Sequence, residues 1–229
     1  PYFGGKTRVA NKIIAKMPNH NVYVEPMVGG GSVYWNNNKA QKFVINDLNK
    51  EIYSLYKTAK NSPSQIKKCN INSNRKQFKK IKNKRKKGAC DTIKLYKHSF
   101  GGQGQFYAEK NKNFRNNFSE EHTNKLKKTI ILNKDFRKVI NKYDNKNALI
   151  YLDPPYVKQG RNYKTYGITP EEVCSSIKKL RKAKVILSYD KHKEVKRQCK
   201  GLKFHTLKVP YSAESGAGHS KAEFLITNY

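Results

Sequence analysis

The sequence predicts a doubly wound α/β fold: a mixed sheet with helices on both faces, closed by an antiparallel hairpin and interrupted by a small, mostly helical insert. Three observations predict it. Short apolar runs recur along the chain, and four of them stop at or just before an acid, at Glu25, Asp47, Asp135 and Asp153. Segments with helical spacing alternate with these runs, which is the rhythm of a parallel sheet. The last two apolar segments, residues 203–209 and 222–228, follow one another without a helix between them, so they form a strand pair that makes the sheet mixed.

The elements follow in order. Residues 1–8, P-Y-F-G-G-K-T-R, form an aromatic and glycine-rich loop before a helix over residues 7–17, whose Val9, Ile13, Ile14 and Met17 share one face. Residues 21–32 read as a strand, an acid-proline stop and a glycine-rich loop leading into a helix at Ser32. Glycines after the first strand of an open sheet let a ligand lie against bare backbone. The spacing lacks both the dinucleotide G-x-G-x-x-G and the G-K-[ST] ending of a phosphate loop, and the acid before the glycines suits an ammonium rather than a phosphate. The second strand, residues 42–46, ends at Asp47, where a carboxylate either accepts from ribose hydroxyls or caps the following helix. Both readings stand at this point.

From residue 57 to 128 the strand rhythm is lost. Residues 66–87 hold eleven Lys and Arg and no acid, and Ile66, Ile71, Phe78 and Ile81 are too sparse for a main core. The loop of residues 95–107 is rich in glycine and aromatics, and residues 111–118 interleave Phe114 with Arg115, Asn116 and Asn117. Arg, Asn and Gln hydrogen-bond base edges, Lys meets phosphate, and aromatics stack or wedge. A nucleic-acid-reading insert is expected here, with a disordered basic loop over residues 66–87 as the alternative. Candidates for DNA contact are Lys97, Ser99, Phe100, Gln103, Arg115, Asn116 and, from a later loop, Arg161. The domain boundaries that follow are 1–56 with 129–229 for the main domain and 57–128 for the insert.

A third strand over residues 129–133 leads to Asp135 and Phe136. A fourth, A-L-I-Y-L, ends in Asp153-Pro154-Pro155-Tyr156. Pro154 has no N–H for the ladder, so the strand stops there and delivers a carboxylate, a rigid turn and an aromatic ring to a cleft. T-P-E-E at residues 169–172 opens a helix with proline in the first turn, followed by a fifth strand over 184–188 and a helix over 191–199.

Charge limits the partner. The chain carries 49 Lys and Arg against 16 Asp and Glu, a formal charge of +33, and a field of that sign draws polyanions. Part of the excess is compositional, Lys and Asn being abundant together. Cys69, Cys90, Cys174 and Cys199 include no C-x-x-C pair and are expected as reduced thiols rather than zinc ligands or a disulfide framework. No apolar run reaches membrane-spanning length and no signal-peptide pattern opens the chain, so a soluble, cytoplasmic protein is expected, its first residues missing because it opens at Pro1.

F-G-G-K, V-E-P-M-V-G-G-G-S, I-N-D, N-K-D-F, D-P-P-Y and E-F-L-I-T-N stand in this order. In that respect the sequence resembles the Dam-like (D12 class, alpha-group) DNA adenine-N6 methyltransferases, which use S-adenosyl-L-methionine. The resemblance implies a Rossmann-like methyltransferase sheet, a double-stranded DNA partner, S-adenosyl-L-methionine as cofactor with S-adenosyl-L-homocysteine as product, and no metal. It implies a cofactor site of Tyr2, Lys6, Glu25, Pro26, Gly29, Gly31, Ser32, Asp47, Asp135, Phe136 and Asp153. Tyr2 and Lys6 would line the methionine end and Glu25 its amino group. Asp47 would hold the ribose, Asp135 and Phe136 the adenine. It implies catalysis by Asp153, Pro154, Pro155 and Tyr156. Asp153 and the Pro154 carbonyl would hold the two hydrogens of an exocyclic amine and Tyr156 would stack on an extruded base. Cytosine-C5 chemistry needs a thiolate, usually after a proline, and no cysteine here follows one. Cytosine-N4 or RNA adenine transfer, and a catalytically inactive DNA-binding subunit, are the alternatives. Where the family's recognition hairpin commonly has an aromatic followed by Asn-Gly, Phe100 is followed by Gly101-Gly102, so a G-A-T-C target does not carry over; Gln103 or Gln105 is the substitute. The oligomeric state, monomer or weak dimer, is not specified.

Overall fold

The computed structural model describes residues 6–109, 114–156, 167–209 and 221–229. Helix α1 (Ala10–Ala15) precedes β1 (Val22–Glu25), α2 (Ser32–Asn36) and β2 (Lys42–Asn46). Five helices then intervene before β3 (Thr129–Leu132): α3 (Lys50–Asn61), α4 (Pro63–Lys67), α5 (Arg75–Lys82), α6 (Ala89–Lys97) and α7 (Glu120–Lys127). The chain continues through α8 (Phe136–Lys142), β4 (Ala148–Leu152), α9 (Pro170–Lys178), β5 (Lys184–Asp190), α10 (Lys193–Gln198), β6 (Lys203–Val209) and β7 (Lys221–Thr227).

The strands form one sheet in the order β3-β2-β1-β4-β5-β7-β6. β1 pairs in parallel with β2 on one side and β4 on the other, while β7 runs antiparallel to both β5 and β6. The sheet is therefore doubly wound and mixed, as expected. Alternation along the strands divides the core. Tyr23, Ile45, Leu149 and Tyr151 face α1, α2 and α3, whereas Val24, Val44, Ile150 and Leu152 face α8, α9 and α10. β4 is buried along its whole length, as a central parallel strand with helices on both faces must be. The T-P-E-E segment forms a capping box, Glu172 N–H donating to Thr169 Oγ1 (3.2 Å) and Thr169 N–H to Glu172 Oε2 (2.9 Å).

Residues 66–87 hold the end of α4, helix α5 and the irregular segments around it, not the featureless loop given as the alternative. Ile66 joins the main core, and Phe78, Ile81 and Leu95 make a small core of their own under Tyr107. The four cysteines are also not free thiols: Cys69 is bonded to Cys90 and Cys174 to Cys199. These pairs lie 21 and 25 residues apart in sequence, and only the packing of α9 against α10, and of α4 near α6, brings their Cα atoms to 5.1 and 5.8 Å.

The glycine loop after β1 is held by two left-handed residues, Gly29 (φ +47°) and Gly31 (φ +66°). A Cβ at Gly31 would meet Tyr56 Oη, whose hydroxyl donates to the Gly29 carbonyl (3.2 Å). Gly31→Ala is therefore expected to cost ~1–3 kcal/mol of unfolding free energy, from the strained φ and the displaced tyrosine together. Urea denaturation followed by circular dichroism checks this, and an unchanged midpoint contradicts it.

Candidate active site

The reversal of strand order at β1 and β4 opens a crevice at the carboxyl edge of the sheet, where the acids of the strand ends collect. Glu25 closes β1, Asp47 follows β2, Asp135 follows β3 and Asp153 follows β4. Glu25 is buried and accepts a 2.6 Å hydrogen bond from Tyr23 Oη. Burial pushes its carboxyl up to about 8, Asp153 adds to the rise, and bonds from Tyr23 and the Tyr34 backbone oppose it. Such a group gains from a cation entering the crevice. Pro26 is buried beside it, and Ser32, opening α2, shares a hydrogen bond with Thr7 (3.1 Å).

Asp47 is not the cap of α3. Asn49 is: its Oδ1 accepts from Glu51 N–H at 2.8 Å. Asp47 instead binds the Gly29 N–H through Oδ2 (2.8 Å) and the Asn49 N–H through Oδ1 (2.9 Å), so it fastens the glycine loop to β2. Burial raises it to about 6 against these two bonds. Beside it lies a residue sequence reasoning missed. Asn46 donates through Nδ2 to the carbonyls of Pro26 (2.8 Å) and Lys134 (2.8 Å), and its Oδ1 accepts the Lys134 N–H (2.8 Å). The only sequence signal was its place inside I-N-D.

Asp135 caps α8 and is gripped by Arg137, whose Nε donates to Oδ1 at 2.9 Å and whose Nη1 reaches Glu172 at 2.9 Å. The guanidinium holds the Asp135 carboxyl below its usual range. Phe136 is buried in the core beneath.

At Asp153 four groups meet. Lys6 Nζ stands 2.8 Å from Asp153 Oδ1, 4.6 Å from the Tyr156 ring centroid and 3.8 Å from Glu223 Oε2. Tyr156 Oη donates to Glu223 Oε2 at 2.7 Å, and its ring lies 5.8 Å from that of Tyr189. Burial raises Asp153 to about 6; Lys6 lowers it and Glu223 raises it. Pro154 is buried and Pro155 half-buried. Lys6 thus bonds the D-P-P-Y carboxylate, a contact beyond the methionine-end lining expected of it. Glu223 was visible only as part of the E-F-L-I-T-N closing strand. Tyr2 and Arg161 lie outside the described residues. Among the described residues no group of three His, Cys, Asp or Glu is placed to hold a metal ion.

In the insert, Phe100 N–H donates to the Phe106 carbonyl (2.7 Å) and Ala108 N–H to that of His98 (2.9 Å), a small loop that turns both rings outward, 65% and 67% exposed. Lys82 stands 5.7 Å from the Phe106 ring and Lys97 4.7 Å from that of Phe114. Arg115 is exposed and Gln103 half-buried. Two expected DNA contacts point inward instead. Ser99 is buried, accepting from Gly104 N–H (2.7 Å) and donating to the Tyr96 carbonyl (3.1 Å). The Asn116 amide binds the carbonyls of Ile66 (2.5 Å) and Cys69 (3.3 Å), pinning its segment to the end of α4.

A Rossmann-like sheet of this order, with acids at its carboxyl edge and a D-P-P-Y turn in the crevice, is the framework of a methyltransferase. The D12 class N6 adenine-specific DNA methyltransferase family matches residues 2–98 and 91–212, and the chain belongs to that family. The DNA adenine methylase of Haemophilus influenzae is 25% identical over 244 residues, 91% of this chain and 85% of that protein. The type II methyltransferase M.CviBI of Paramecium bursaria Chlorella virus NC1A is 26% identical over 173 residues, 67% of this chain and 66% of that one. Among solved structures, precorrin-6y C5,15-methyltransferase from Geobacter metallireducens aligns over 96% of this chain and 85% of its own, with TM-score 0.45 and 8% identity, which adds nothing to the strand order itself.

The raised Glu25 has a measurable sign. Its protonated form is favoured in the folded chain, so its stabilising contribution is complete below its unfolded value and is lost as pH rises through about 8. The thermal midpoint of Glu25→Gln should gain on the native chain between pH 5.5 and 8.5. A difference that stays flat with pH in scanning calorimetry contradicts the assignment.

Proposed function

We propose that the chain moves the methyl group of S-adenosyl-L-methionine directly onto N6 of an adenine extruded from double-stranded DNA. The observation that carries this reading is the convergence of the Asp153 carboxylate and the Tyr156 ring on one nitrogen, Lys6 Nζ, at 2.8 and 4.6 Å. A site that holds an N–H donor against a carboxylate and over an aromatic ring is shaped for an aromatic amine.

The cofactor, when bound, supplies an electrophilic methyl on a sulfonium sulfur. Glu25 is the counter-ion for its ammonium, Asp47 the acceptor for its ribose, and the loop of Gly29 and Gly31 the bare backbone beneath it. Asp135, with Phe136, meets its adenine through whatever acceptor capacity Arg137 leaves. Asp153 and the Pro154 carbonyl accept the two N6 hydrogens, which localises the nitrogen lone pair otherwise spread into the ring. Asp153 is also the nearest acceptor for the proton that the methylated nitrogen sheds. Tyr156 provides the face for the extruded base, with Pro155 stiffening the turn. Residues 57–128 serve as the DNA-reading insert, with Phe100 and Arg115 exposed, Gln103 and Lys97 half-buried, and the lysines of residues 66–87 meeting phosphates. The compartment is one that holds DNA; among the described residues no helix is long and apolar enough to cross a membrane.

Incubation with methyl-labelled S-adenosyl-L-methionine and DNA or RNA, followed by nucleoside analysis, should place label in N6-methyladenine of DNA. Label confined to N4-methylcytosine, or to RNA, overturns the reading. Asp153→Ala should lower the single-turnover rate by about 10²–10³ or more while calorimetry still detects cofactor binding. Unimpaired turnover rules out its role. Neutralising Lys79, Lys80 and Lys82 to Gln should reduce the slope of log affinity against log salt by roughly 2–3. An unchanged slope assigns those lysines to a solvated face.

A further inference from the structure

Glu223 is a carboxylate of the crevice for which neither the sequence motifs nor the family likeness supplies a task. β7 runs antiparallel between β5 and β6, so its first residues lie where β4 and β5 end, and Glu223 stands in register with Asp190. Its Oε2 accepts the Tyr156 hydroxyl at 2.7 Å and lies 3.8 Å from Lys6 Nζ. Lys6 is buried, and its ammonium occupies the position a target amine would need: 2.8 Å from Asp153 Oδ1 and over the Tyr156 ring. A base amine that binds Asp153 there must displace it. A buried cation that gives up an ion-pair contact is stabilised by another carboxylate within a small movement. Glu223 lies about one ångström beyond ordinary ion-pair contact, close enough for a rotamer adjustment of the lysine.

We propose that Glu223 is a positioning residue for methyl transfer. It fixes the Tyr156 ring by accepting its hydroxyl, and it takes over the Lys6 ammonium when the target amino group claims Asp153. The Tyr156 ring is then steadied at both ends of its polar axis, by the D-P-P backbone and by Glu223, and by Tyr189 at its side. This rests on the reading in which Asp153 and Tyr156 receive the base.

Three variants separate the parts. Glu223→Gln keeps an acceptor for the hydroxyl but offers Lys6 no charge, Glu223→Ala removes both, and Tyr156→Phe removes the donor. With saturating labelled S-adenosyl-L-methionine and duplex DNA, kcat should fall about tenfold in Glu223→Gln and about a hundredfold in Glu223→Ala. Calorimetric cofactor affinity should stay within about twofold of the native value. Glu223→Ala combined with Tyr156→Phe should lose less than the product of the single losses, since both delete one hydrogen bond. Without any DNA, the ζ-carbon resonance of Tyr156 in 13C-tyrosine-labelled protein should shift in Glu223→Ala and much less in Glu223→Gln. Native kcat in Glu223→Ala, an unmoved Tyr156 resonance, or fully multiplicative losses overturn the hold on the ring. Native kcat in Glu223→Gln overturns the transfer of Lys6, and this variant alone decides if the alanine form fails to fold. A native chain that binds cofactor and modifies no DNA adenine, while the resonance still shifts, defeats the functional reading and leaves the contact between Glu223 and Tyr156 standing.

Discussion

The 2.8 Å ion pair between Lys6 and Asp153 joins the segment that precedes α1 to the end of β4, across the crevice where the sheet reverses. Its setting explains why it matters. Glu25, Asp153 and Glu223 lie close enough for Asp153 to raise Glu25 and for Glu223 to raise Asp153. Asp153 and Glu223 repel one another out of bulk water and need a cation between them, and Lys6 stands there, 2.8 Å from one and 3.8 Å from the other. The chain as a whole carries 49 Lys and Arg and only 16 acids, yet five of those acids, Glu25, Asp47, Asp135, Asp153 and Glu223, stand at one edge of one sheet. A strongly basic chain thus concentrates five of its few acids in one crevice, with the buried Lys6 among them.

The insert is bound into this scheme rather than appended to it. Asn49, which caps α3, donates to Tyr96 Oη of α6 at 3.0 Å, and Lys87 pairs with Glu51 at 3.0 Å. Lys125 on α7 donates to the carbonyls of Trp35 (3.2 Å) and Asn37 (2.6 Å) at the end of α2. Half-buried among carbonyls and rings, it is pushed down to about 8 by desolvation, opposed by Glu121 and Glu25. The exposed Phe100 and Phe106 therefore sit on a platform whose foundations are the helices that carry the glycine loop and Asp47.

Sequence periodicity made the sheet legible because its central strands are covered on both faces and read as unbroken apolar runs. The acids at the strand ends were legible for a related reason: a carboxylate directly after such a run has only the carboxyl edge to occupy. Side chains whose roles depend on contacts distant in sequence were not. Glu223 becomes part of the crevice only because β7 inserts between β5 and β6 in the reverse direction. Asn49 rather than Asp47 caps α3, and one Asp47 carboxylate oxygen instead reaches back 18 residues to Gly29. Ser99 and Asn116 look like surface readers in a polar, aromatic stretch, yet a turn without enough backbone partners recruits them inward. The cysteine pairs follow from helix packing that no spacing rule encodes.

Asn46 has a consequence beyond holding a turn. Its one amide is shared between the loop after β1 and the loop after β3, so each is fastened to the same side chain. A ligand long enough to touch both loops meets surfaces already ordered together, and the conformational entropy lost at one end is not lost again at the other. Fragments of such a ligand, each gripping a single loop, must bear that ordering alone. The whole molecule is then held more tightly than the separate affinities of its halves imply.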